Sequence, residues 1–97
     1  MKNQNTNEES LLTYLEELRE QTISSITKEV ETRDYWVSGR YQKDVDSGHV
    51  NRPTNGQVDF YITNCKNRLK PLNFRLDWIK LQIENVKFSQ KFETIRK

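Results

Sequence analysis

The chain predicts an α+β fold, a small single domain in the order α-β-β-α, with two long amphipathic helices and a two-stranded ribbon. Three observations predict it. Apolar residues recur at spacings of three and four over Leu11–Val30 and again over Leu69–Ile95, which is helical periodicity. Between them, Tyr35–Tyr41 and Gln57–Thr63 carry aromatic and β-branched residues at alternate positions, which is strand periodicity. Only 3 Gly and 2 Pro occur in 97 residues, so turns are few and elements long. The alternative architecture is a mostly α helical hairpin.

Length allows one domain, residues 1–97. With 33% apolar and 31% charged residues, its core is small, and association would help to stabilise it. Residues 1–6 are rich in Asn and Gln and read as a disordered start. Thr6-Asn7-Glu8-Glu9 has the form of a capping box, in which the Thr oxygen and the Glu carboxylate each accept from a free backbone N–H. A helix over Asn7–Arg33 follows. Leu11, Leu12, Leu15, Leu18, Ile23, Ile26 and Val30 fall within an arc of about 140° on its wheel. Arg19 falls inside that arc and is expected to extend its head to water or to pair with Glu16.

Tyr35, Val37 and Tyr41 then mark a first short strand, interrupted by Gly39. Residues 42–56 form a long polar loop with Gly48, Pro53 and the turn dipeptide Asn55-Gly56. Gln57–Thr63 admits two readings. Val58, Phe60 and Ile62 alternate as in a strand. Val58, Ile62 and Cys65 also extend the later heptad seam backwards, and Thr54–Gln57 has the form of a second capping box. Two penalties favour the strand. Asp59–Cys65 are middling or poor helix formers, costing about 3–4 kcal/mol relative to Ala. A helix through Pro71 loses a hydrogen bond and meets the carbonyl of Asn67, costing about 3 kcal/mol. The last helix is therefore expected to start between Asn67 and Pro71, where a first turn accepts Pro.

That helix has two apolar seams. Leu69, Leu72, Leu76, Ile79, Ile83 and Val86 form one. Phe74, Trp78, Leu81, Phe88, Phe92 and Ile95 form another on nearly the opposite side, with Asn85 at the one polar step. The smaller aliphatic seam suits packing on Leu11–Val30. The second seam is a surplus, and it marks the expected partner-binding residues Phe74, Trp78, Leu81, Asn85, Phe88, Phe92 and Ile95. A polar residue within such a seam suits the choice of register in a coiled-coil-like contact.

Catalytic chemistry finds little footing. With one His and one Cys, zinc sites built from those residues are excluded. Asp44–Gly48 lacks the ligand spacing and terminal Glu of a calcium loop. Ser47, His49 and Asp46 lie in one loop without a nucleophile elbow. No Gly-rich phosphate loop is present. Cys65 sits in an apolar phase and reads as an inert buried thiol. The chain is read as no enzyme, with no metal, no cofactor and no small-molecule substrate.

Charge is distributed unevenly. Residues 1–50 carry six Lys/Arg against ten Asp/Glu, and residues 51–97 carry ten against four. Lys66, Arg68, Lys70 and Arg75 are the candidate nucleic-acid contacts in the basic half. No apolar run is long enough to span a membrane and no leader is visible, so a cytoplasmic protein without membrane contact is expected. The reading is a small non-enzymatic protein–protein interaction module, self-associating as a homodimer, that regulates or inhibits by occupying a partner surface. The alternative is a nucleic-acid-binding accessory protein.

Overall fold

A computed structural model describes residues 3–96, with side chains described over 9–91. The described residues form three helices: α1 over Asn3–Val37, α2 over Tyr41–Asp46 and α3 over Asn55–Arg96. No strand occurs among the described residues. The expected α+β ribbon is thus replaced by helix, and the mostly α alternative describes the chain.

The first expected strand is the end of α1 followed by a turn. Tyr35, Trp36 and Val37 stay helical, and Ser38 N–H still donates to the Asp34 carbonyl at 2.9 Å. Gly39, at φ 81°, then reverses the chain in the left-handed conformation that only Gly adopts at no steric cost. The long loop is shortened by α2, whose own end is turned by Gly48, also at φ 81°.

The second expected strand is the first part of α3. Its start is the capping box at Thr54. Gln57 N–H donates to Thr54 Oγ1 at 3.1 Å, and Thr54 N–H donates to Gln57 Oε1 at 2.9 Å. From there the helix runs unbroken through Pro71. The proline removes one backbone donor, but Pro71 and Asn67 are both on the exposed side, where water can reach the orphaned Asn67 carbonyl. On the opposite side Cys65 and Leu69 are buried, and Val58 and Ile62 are half-buried. Burying a large apolar side chain contributes roughly 1.5–3 kcal/mol. Several such gains offset the propensity and proline penalties that argued for a strand.

At the other end, α1 starts at Asn3, so Thr6 lies inside it and is not its cap. Met1 and Lys2 lie outside the described residues, as do the side chains of the expected Thr6–Glu9 box up to Glu8.

Packing divides the chain into two compact units. One comprises Met1–Ser24 and Phe74–Lys97, and the other Ser25–Asn73. The first, here the aliphatic unit, sets α1 against α3. Leu15, Ile79 and Ile83 are its buried core, with Leu12, Leu18 and Val86 packed on them. Thr22 is buried beside this apolar set, and its hydroxyl donates to the Leu18 carbonyl at 2.8 Å, which satisfies the group within its own helix. Arg19 is half-buried and pairs with Glu20 at 3.6 Å rather than with Glu16.

The second unit is fastened by polar and aromatic contacts. Arg68 Nε donates to Glu29 Oε1 at 2.8 Å, and Arg68 Nη2 lies 3.6 Å from Cys65 Sγ. The Tyr35 hydroxyl donates to the Asp44 carboxylate, tying α2 to α1. Trp36 packs on Tyr61 with ring centroids 4.7 Å apart and on Tyr41 at 5.1 Å. The aromatic residues that suggested a ribbon therefore close one end of a helical unit.

Candidate interaction face

The site begins with helical phase. Ile79 and Ile83 fix which side of α3 faces α1 in the aliphatic unit. Phe74, Trp78, Leu81, Asn85 and Phe88 follow one another at four and three residues, which places their side roughly 200° around the helix from that core. The exposures agree with the phase. Phe74 is 77% exposed, Trp78 51%, Leu81 53% and Phe88 68%, whereas Ile79 is fully buried. Asn85 is exposed as well. The seven expected partner-binding residues thus include five that the structure brings to one face of one unit. The side chains of Phe92 and Ile95 lie outside the described residues.

A row of three aromatic rings and a Leu on one helix face is unusual for a surface, because leaving such area in water forgoes burial and promotes association. Beside it, Leu11, Asn85, Val86 and Ser89 line a shallow groove of about 220 Å³. Asn85 thus borders both the aromatic face and this groove.

Three of the four candidate nucleic-acid residues lie in the second unit. Lys66 and Lys70 are exposed in the second unit, but Arg68 beside them is held by Glu29. Arg75 belongs to the aliphatic unit.

Sequence reasoning missed the Glu29–Arg68–Cys65 cluster. Burial pushes the Cys65 thiol above its ordinary value, the Glu29 charge adds to the rise, and Arg68 opposes it. The Arg68 guanidinium is held charged by its hydrogen bond to Glu29. Glu29 Oε2 is buried without a hydrogen-bond partner. A signal for the cluster was available. Glu29 sits within the same apolar arc of α1 as Leu15 and Ile26, where an acid needs a cation on the facing helix.

The Ser47–His49 pair is a surface turn contact. Ser47 Oγ lies 2.9 Å from the Lys43 carbonyl, to which it donates, and 2.8 Å from His49 Nδ1, all within one exposed turn. Asp46 is turned to Arg52 at 3.8 Å. Among the described residues no three His, Cys, Asp or Glu side chains converge as metal ligands. No helix of the described residues is long and apolar enough to cross a membrane.

No protein-family model matches the chain, and no match was found among curated proteins or among solved structures.

Proposed function

We propose that the chain is a self-associating interaction module that works by occupying a surface, and that the aromatic face of α3 in the aliphatic unit is where a second copy docks. The observation that carries this reading is the exposure of Phe74, Trp78, Leu81 and Phe88 on the side of α3 turned away from its own core. Their alternating spacing of four and three is the pattern by which one helix seats its side chains between those of another. A second copy is the natural occupant, because the same spacing on both helices makes the face self-complementary.

The test is sedimentation velocity on the full chain at tens of micromolar. A dimer is expected. Phe74→Asp combined with Trp78→Asp should give a monomer with an unchanged far-UV circular dichroism spectrum, since both side chains are exposed in one copy. A wild-type chain that stays strictly monomeric overturns the proposal. So does a variant that associates as the wild type does, or one that unfolds, because unfolding would make the face internal.

A further inference from the structure

Charges flanking the aromatic face carry the reading one step further, to the direction in which two copies meet. On one flank stand Asp77, Glu84 and Lys91, each immediately before a four-step seam position; on the other stand Arg75, Gln82 and Ser89. All but Gln82 are exposed, and Gln82 is half-buried. Two parallel copies bring one flank against the other flank. Asp77 would then face Gln82 of the second copy and Glu84 would face Ser89, with no opposite charges paired. Two antiparallel copies bring each flank against itself.

We infer that the second copy docks antiparallel, α3 on α3, with Asp77 of each copy paired with Lys91 of the other. The inference rests on the self-association proposed above. The register is centred level with residue 83. It layers Trp78 on Phe88 of the second copy and Leu81 on Asn85, and it repeats each layer and each ion pair by the two-fold axis. Asn85 also lines the open groove with Leu11 and Ser89, which gives its carboxamide a route to water beside Leu81 of the second copy. One contact opposes this arrangement, because Glu84 meets Glu84 at the axis. Lys80 and Lys87, four residues before and three after it on the same helix, partly neutralise that charge. Two favourable pairs against one softened repulsion decide for antiparallel, since the parallel alternative offers no pair at all.

Sedimentation equilibrium on the full chain separates the outcomes. Asp77→Lys and Lys91→Asp should each weaken dimerisation about tenfold, because each creates two like-charge contacts. The combined variant, with the charges exchanged, should return to within about threefold of the wild type. Glu84→Gln should tighten the dimer about two- to threefold by removing the axial repulsion, and it serves independently should a reversal variant fail to fold. A dimeric wild type whose two reversals simply add, or whose Glu84→Gln variant associates no more tightly, overturns the antiparallel pairing and leaves self-association standing. A monomeric wild type removes both.

Discussion

In the unit formed by Met1–Ser24 and Phe74–Lys97, aliphatic side chains make the core, and Tyr14, Phe74, Trp78 and Phe88 are exposed. In Ser25–Asn73 the buried side chains are Cys65 and Leu69, and aromatic rings join the packing: Trp36 lies against both Tyr41 and Tyr61, and the Arg68–Glu29 ion pair joins the two helices. The same helices, α1 and α3, serve both units. What differs is the residue placed at each phase. Where Leu15, Ile79 and Ile83 already satisfy the interior, Phe74 and Trp78 are free to face outward. The two sets of aromatic residues thus differ in surroundings: Trp36 is packed against other rings, whereas Phe74 and Trp78 face away from a complete core.

The largest expected effect lies in the aliphatic unit. Ile79 is fully buried, so Ile79→Ala should destabilise the fold by about 2–5 kcal/mol through lost burial and a cavity. Urea denaturation measures this. A loss below about 1 kcal/mol would mean that the unit does not depend on its aliphatic contact and would erase the contrast.

A smaller effect is expected in the second unit. Arg68→Ala should lower the urea midpoint by clearly less than Ile79→Ala does, because it takes the guanidinium donor from Glu29 Oε1 at a contact that water already screens. A double-mutant cycle with Glu29→Gln isolates the coupling; an additive cycle would show that the pair does not join α1 to α3.

The smallest effect is a dependence on alkaline pH. The Cys65 thiol is raised above the ordinary 9.0, chiefly by burial. The neutral thiol is therefore favoured in the fold, and the associated stability is complete below the unfolded value. It is lost as pH rises through the folded value. Denaturation at about pH 7 and about pH 10 should show a steeper loss for the wild type than for Cys65→Ala. Equal slopes would remove the thiol from the second unit's fastening.

Much of this was legible in the sequence. The aliphatic seam of α3 and its facing stripe on α1 are written in three- and four-residue spacing, and so is the aromatic face. The start of α3 was legible as well, in Thr54 and Gln57. It was outweighed because helix propensity is counted residue by residue, whereas the burial of Cys65 and Leu69 appears only once a second helix is opposite. Tyr35–Tyr41 misled for a related reason. Aromatic and β-branched residues favour strands on average, but Trp36 finds a better partner in Tyr61 than a ribbon would give it. The Glu29–Arg68 contact spans 39 residues, and no local pattern reports a pairing at that distance.

Pro71 carries a consequence for how the chain reaches this state. Its peptide bond is trans within α3, as are the other described bonds. In an unfolded chain roughly 10–30% of such bonds are cis, and they convert over tens of seconds or more. A chain caught in the cis form cannot run one continuous helix across residues 70 and 71, so α3 is joined into a single element only after that bond turns.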